Sequence, residues 1–126
     1  MTYVAETTEQ AKKIIPWVVR GHRVVAQQVN MHQESVRNGE YITDTPVPDE
    51  PTEEEMFQNT MMGTPDEVRP KVRQYYDLGV DNLTLWHHIG QPHADVMRSM
   101  ELFARELMPE FHTDSVHAQR DGLIAR

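Results

Sequence analysis

Residues 63–90, GTPDEVRPKVRQYYDLGVDNLTLWHHIG, contain the clearest local signals in the chain. Thr64 is a preferred N-cap residue, Pro65 suits the first helical position, and Glu67 has the spacing that closes a capping box. Gly79 follows the apolar-periodic run and supplies the left-handed residue that commonly ends a helix. The pattern therefore predicts a helix between these two signals.

The residues that follow, 80–89, predict a β-strand. Alternate side chains of a strand face opposite sides, which divides this segment into two sets. The sets are Leu83, Leu85 and His87 on one side, and Asn82, Thr84, Trp86 and His88 on the other. Because neither set is wholly polar, we expect both faces of the strand to be covered.

The N-terminal third predicts a strand and then a long helix. Tyr3, Val4 and Ala5 are compatible with a buried strand. Thr7 and Gln10 have capping-box spacing, and residues at helical spacing follow them. These residues are Ala11, Ile15, Val18, His22, Val25 and Val29. Pro16 lies inside this run and should bend or split the helix, which we expect to end at the Asn38-Gly39 pair.

Residues 39–62 form a segment of different composition, in which prolines alternate with acidic residues. We expect an exposed acidic, Pro-rich loop. Two interpretations are open: a solvated connection, or a mobile lid over a ligand site, since long loops in compact domains are often functional. Thr52 and Glu55 again have capping-box spacing, which predicts a short helix through Met56 and Phe57.

The C-terminal part predicts one more helix. Apolar residues from Val96 to Leu107 recur at spacings of one, three and four. Periodicity is lost afterwards, so residues 112–126 are expected to form a frayed tail.

The predicted order of elements is strand, long helix, loop, helix, strand, helix, which is the order of two β/α units of a parallel sheet. Two strands with helices on one side would leave open edges and one bare apolar face. We therefore expect a second copy or a partner chain to complete the sheet.

The composition excludes several classes of protein. The 126 residues suffice for one domain, and the absence of cysteine excludes disulfides and Cys-ligated metals. The formal charge of -8, with no basic run, argues against a nucleic-acid partner. No apolar stretch could span a bilayer, and the N-terminus lacks the pattern of a signal peptide. We expect a cytoplasmic protein without a membrane partner.

Three segments, in the same order, resemble the C-terminal end of luciferase-like flavin-dependent monooxygenases. They are residues 63–68 (GTPDEV), 78–83 (LGVDNL) and 99–109 (SMELFARELMP). Residues 3–7 (YVAET), with Ala11, are similar to the seventh strand of that family where it leads into the seventh helix. The resemblance assigns residues 1–111 to the C-terminal part of a luciferase-like barrel domain.

The resemblance implies a fold and a cofactor. Members of the family are (β/α)8 barrels that use reduced FMN, or a deazaflavin in some branches, to oxidise an organic substrate. The chain would then be a helix-rich α/β fold, a partial TIM barrel with strand 7, helix 7, strand 8 and helix 8. A complete barrel takes about 250 residues. The flavin-phosphate and catalytic positions of the family lie largely before this segment, so no catalytic residue is carried over.

Trp86 and His88 are the candidate residues for lining a flavin or substrate site. They fall on one face at the carboxyl end of the predicted strand, the end where barrel enzymes place their active sites. Ordinary packing is the alternative interpretation. His87, His88 and His93 do not predict a metal site, because the adjacent pair diverges and no carboxylate has a fixed spacing to them.

Three functions remain open. The leading hypothesis is the C-terminal piece of a luciferase-like monooxygenase, which acts on a small organic molecule and is incomplete as an isolated chain. The second is a non-catalytic α/β interaction module that self-associates or completes a barrel with a partner chain. The third is an independent enzyme with a homodimeric site near His88.

Overall fold

The computed structural model describes residues 1–29, 36–39, 41–80 and 82–111. The fold is mixed α/β and rich in helix. In chain order its elements are β1 (Thr2–Val4), α1 (Thr8–Lys12), α2 (Ile15–Val29), β2 (Arg37–Asn38), β3 (Tyr41–Ile42), α3 (Glu53–Asn59), β4 (Met61–Gly63), α4 (Pro65–Asp77), α5 (His93–Glu106) and α6 (Met108–Phe111). The predicted tail, 112–126, lies outside the described residues. No described helix is long and apolar enough to cross a membrane.

The central sheet is a parallel pair formed by β1 and β4, with Thr2 opposite Met61 and Val4 opposite Gly63. The strand predicted at residues 3–5 is thus present, but its partner is not the one expected. β4 lies inside the predicted loop 39–62. Its three residues show no alternation and no β-branched side chain, so only its pairing with β1 identifies it as a strand.

The strand predicted at residues 80–89 is wrong. Residues 82–88 belong to no sheet, although their side chains alternate between exposed and half-buried as in an extended chain. The segment meets β1 where the Thr2 N–H donates to the Trp86 carbonyl at 2.9 Å. At the next position on this edge the Val4 N–H donates to Ser99 Oγ at 2.8 Å. A hydroxyl group from α5 therefore takes the bond that a third strand would have made.

The long helix predicted after Thr7 is split near Pro16, as expected, but its predicted end is wrong. The chain breaks after α1, and α2 begins at Ile15, so that Pro16 lies in a first turn, where its missing N–H costs nothing. The predicted end at Asn38-Gly39 is a hairpin instead, formed by β2 and β3, with Gly39 at φ +65°. Asn-Gly is as strong a signal for a hairpin turn as for a helix end.

The predicted loop 39–62 is correct only in its first part. The short helix predicted from Thr52 and Glu55 is confirmed as α3, with both bonds of the capping box present. Met56, Phe57 and Met62 are buried, because α3 and β4 pack into the core. Residues 43–51 have the extended, irregular form that the composition predicted. We call residues 43–51 the strap.

Apolar clusters cover both faces of the sheet, so the predicted bare face does not exist. Tyr3 and Met62 face a cluster built from α1, α2 and α3, whereas Val4 and Met61 face a cluster built from α4 and α5. Successive residues of each strand enter opposite clusters, as the pleat requires. The sheet is therefore the middle of three layers.

The corner where β1 and β4 end is fixed by the predicted start of α4, which is confirmed. Glu67 accepts bonds from the Thr64 N–H (2.7 Å) and from the Thr8 hydroxyl (3.0 Å), which joins the starts of α1 and α4. The bond from the Thr64 N–H is the main reason why the pKa of Glu67 is lowered. Gly63 precedes this cap at φ +138°. We call Gly63, Thr64, Glu67 and Thr8 the corner.

Candidate functional site

The best candidate site is a cavity of about 560 Å³ between α2 and residues 86–89, which we call the apolar pocket. Its walls are mainly aliphatic and aromatic. They are formed by Gly21, His22, Val25, Ala26 and Val29 of α2, by Trp86, His88 and Ile89, and by Met1. The volume is within the range of about 300–1,000 Å³ that is usual for small-molecule sites.

Trp86 and His88, the candidate residues from the sequence, line this pocket together. The exposed fraction of Trp86 is 57%, so its indole is available to a ligand. The even-numbered face of residues 82–88 is exposed throughout, which corrects the expectation that both faces would be covered. The face predicted to point into a barrel is thus bare in this chain.

His87 does not line the pocket. Its ring packs edge-on against Phe103, with centroids 5.9 Å apart, and its Nδ1 lies 3.4 Å from Ser99 Oγ. Burial lowers the pKa of His87, which favours the neutral ring. The neighbouring histidines therefore lie in different environments, and His87 belongs to the core.

His22 is a pocket residue that the sequence did not single out. It occurs at the helical spacing of the apolar stripe of α2 and was interpreted as part of that stripe. No local signal distinguishes a histidine that packs from one that lines a cavity. Only the position of residues 86–89 opposite α2 makes His22 a candidate.

The apolar pocket lies near the start of β1 and not at its end. Met1 lines the pocket, and the Thr2 N–H is bonded to Trp86. Ligand sites of parallel α/β folds usually lie outside the carboxyl ends of the strands. Here that end is occupied by the side chains of the corner, whereas the pocket of Trp86 and His88 lies near the start of β1.

A second cavity, of about 550 Å³, lies between α2 and the strap, and we call it the strap pocket. His22 and Ala26 line both cavities. The other walls mix polar and apolar groups. They are formed by Gln27, Val36, Thr45, Pro46, Val47, Pro48, Asp49 and Pro51.

Two side chains of α2, one helical turn apart, attach the strap. Arg23 donates from Nε and Nη2 to the Glu50 carboxylate at 2.7 and 2.8 Å, and from Nη1 to the Asp44 carbonyl at 3.3 Å. Gln27 donates to the Thr43 carbonyl at 2.7 Å. Hydrogen bonding to Arg23 is the main cause of the lowered pKa of Glu50.

The pocket chemistry suits an uncharged aromatic ring. Trp86 offers a stacking surface, and the imidazoles of His22 and His88 can exchange hydrogen bonds with ring carbonyls or nitrogens. None of the described residues that line the apolar pocket is Lys, Arg, Asp or Glu. The described walls fit the ring of a flavin, whereas the strongest phosphate partners are Lys and Arg side chains, and neither is among them.

Within the described part of the chain, no group of three or more His, Asp or Glu side chains could hold a metal ion. No family model, curated protein or solved structure matches this chain. The resemblance to luciferase-like enzymes therefore rests on the quoted segments alone.

Proposed function

We propose that this chain is the C-terminal portion of a luciferase-like flavin-dependent oxidoreductase, and that its apolar pocket holds the aromatic ring of an organic substrate or of the flavin. The observation that carries the proposal is that Trp86 and His88 line one apolar pocket of suitable volume. The parallel strands β1 and β4, with a helix following each, support assignment to the C-terminal part of a TIM barrel. We also propose a cytoplasmic location, because a chain without cysteine has no disulfide that would require an oxidising compartment.

The chain supplies binding and orientation, and not the redox chemistry. Trp86 stacks on the ring, while Val25 and Ile89 exclude water from its faces. His22 and His88 fix the orientation of the ring through hydrogen bonds. Because no Lys or Arg is among the described residues that line the pocket, we place the phosphate of FMN or of a deazaflavin cofactor outside it. We therefore derive no electron-transfer step from this chain and expect none from the chain alone.

The test is a titration with lumichrome, the tricyclic flavin ring without a side chain. We expect a Kd on the order of 0.1 mM, which corresponds to about 0.3 kcal/mol per non-hydrogen atom. Trp86→Ala should weaken binding about tenfold, because it removes the stacking surface. Tyr41→Ala is the control, since Tyr41 is an exposed aromatic residue outside the pocket. Undetectable binding at millimolar lumichrome, or unchanged binding by Trp86→Ala, contradicts the proposal.

A second candidate, a non-catalytic interaction module, is favoured by the bare face at Trp86. Val25 and Val29 at the same pocket are also exposed. A second copy of the chain or a partner barrel half could cover this face. Light scattering on the titration samples separates the candidates: a dimer that dissociates when lumichrome binds supports the module, and a monomer at all concentrations contradicts it.

An association through the sheet edges would meet bound side chains at both edges. The Val4 edge is bonded to Ser99, and on the outer edge the Lys71 ammonium donates to the Met62 carbonyl at 3.2 Å. A helix or a charged side chain that covers the edge of a sheet opposes pairing with a further strand. Addition of a further strand would have to displace one of these side chains, which corrects the expectation of freely open edges.

A further inference from the structure

We infer that the apolar pocket and the strap pocket form one groove, and that its ligand is an elongated aromatic compound without an anionic group, whose ring lies in the apolar pocket and whose polar tail lies in the strap pocket. The inference rests on the proposed function for the position of the ring. The inference adds the position, polarity and charge of the rest of the ligand.

Continuity of the two cavities follows from the residues that they share. His22 and Ala26 of α2 line both, so these two side chains are the boundary between them. Ala26 has the smallest side chain after glycine, so it projects little into the space between the two cavities. Each cavity measures about 550–560 Å³. A ligand with a ring alone fills one cavity, and a ligand with a ring and a tail can occupy both.

The polarity of the walls changes along the groove. The apolar pocket is lined by aliphatic and aromatic groups, with imidazoles as its polar atoms. The strap pocket adds the Thr45 hydroxyl and the Asp49 carboxylate among the proline rings of the strap, while the Gln27 amide is already bonded to the Thr43 carbonyl and the Val36 N–H. Hydroxyl groups of a ligand tail can donate to these two oxygens, whereas a purely aliphatic tail would desolvate them.

The charge of the strap selects against an anionic tail. Asp49 lines the strap pocket directly, and Glu50 and Asp44 flank it. Arg23 is the cation that contacts the strap, and it is already paired with the Glu50 carboxylate through two hydrogen bonds. A phosphate or carboxylate in this pocket would face carboxylates at short range, with no Lys or Arg among the described lining residues. The tail must therefore carry no anionic group.

The test compares three ligands that share one ring. Lumichrome has no tail, riboflavin has an uncharged polyhydroxyl tail, and FMN has the same tail with a phosphate. We expect riboflavin to bind about tenfold more tightly than lumichrome, because its tail gains contacts in the strap pocket. FMN should bind about fivefold more weakly than riboflavin at low salt, and the difference should shrink at high salt because repulsion is screened.

Two variants assign these differences to the strap pocket. Val47→Phe fills that pocket alone, so it should remove the advantage of riboflavin and leave lumichrome binding within about twofold. Val80→Phe is the matched control, because Val80 lines neither cavity. Asp49→Asn should reduce the penalty for FMN by removing the carboxylate that lines the pocket.

The outcomes separate this inference from the proposed function. Equal affinities for lumichrome and riboflavin overturn the two-pocket groove and leave the ring site intact. Tighter binding of FMN than of riboflavin overturns the selection by charge. Absence of lumichrome binding overturns both the ring site and the groove. The expected order of affinities, riboflavin above FMN and lumichrome, with loss of the riboflavin advantage in Val47→Phe, supports the groove.

Discussion

The corner and the strap are each held by a glutamate, but the partners of the two glutamates differ. Glu67 in the corner accepts a backbone N–H and closes a capping box next to a buried strand. Glu50 in the strap is bonded to the side chain of Arg23, and both side chains remain partly exposed. A bond to the backbone fixes the path of the chain, whereas a partly exposed ion pair contributes little to stability.

This difference indicates a division of roles. The corner joins β1, α1 and α4, so a substitution there changes the stability of the sheet. The strap is held to α2 by Arg23 and Gln27 and to Val36 by Thr43, and it forms one wall of the strap pocket. We expect substitutions in the corner to change the stability of the fold and substitutions in the strap to change the binding groove.

The largest effect on stability is expected for Gly63→Ala. A Cβ at this position would lie 2.7 Å from Glu67 Oε2 and 2.8 Å from Glu67 Cβ, and φ of +138° is unfavourable for alanine. Backbone strain and displacement of the cap together predict a loss of about 2–4 kcal/mol. Urea denaturation followed by circular dichroism measures this loss.

Gly79→Ala is the control for strain without collision. Gly79 also has a positive φ, +76°, but a Cβ there meets nothing within 4 Å. We expect a smaller loss, about 1 kcal/mol. If the two variants lose equal stability, the contact of Gly63 with Glu67 is not important for the corner.

An intermediate effect is expected from pH, through His87. Because burial lowers the pKa of His87 in the folded protein, the unfolded chain binds the proton more readily. This contribution to stability is complete above the ordinary histidine pKa of about 6.5 and decreases as the pH falls below it. The melting temperature should therefore drop by about 2–4 °C between pH 7.5 and pH 5.5.

His87→Asn should make the melting temperature less dependent on pH over the same interval, and His93→Asn, at an exposed position, should not. Calorimetry in matched buffers compares the three proteins. An unchanged slope in His87→Asn would show that the sheet edge next to Ser99 does not depend on a neutral ring at this position.

The sequence predicted the elements that carry their own local signals. Thr64 and Glu67 marked the start of α4, Thr52 and Glu55 marked that of α3, and the apolar stripe marked α5; all three helices are confirmed. Capping bonds and amphipathic faces depend on residues three or four apart, so they can be predicted without knowledge of the tertiary fold.

The errors concern elements that depend on distant partners. Residues 82–88 alternate as a strand does, but Ser99 takes the bond that would have made them one. β4 has no strand pattern and exists because β1 pairs with it. One wall of the candidate site was predicted from the sequence, because the spacing of Trp86 and His88 places them on one face. The opposite wall, which includes His22, was not predicted, because it depends on how α2 packs.

The smallest effect on global stability is expected for Arg23→Gln. This variant should change local hydrogen exchange in the strap alone. The variant loses both bonds to Glu50, so hydrogen exchange of the strap amides should become about fivefold faster, while the corner and the melting temperature stay unchanged. Arg20→Gln removes the same charge from an exposed position of α2 and should leave exchange unchanged.

Hydrogen exchange with and without saturating riboflavin tests the division between corner and groove most directly. The account predicts slower exchange in the strap, residues 43–51, and in α2 when riboflavin is bound, and no change in β1, β4 or the start of α4. Equal protection throughout the chain, or protection confined to β1, β4 and α4, would contradict it.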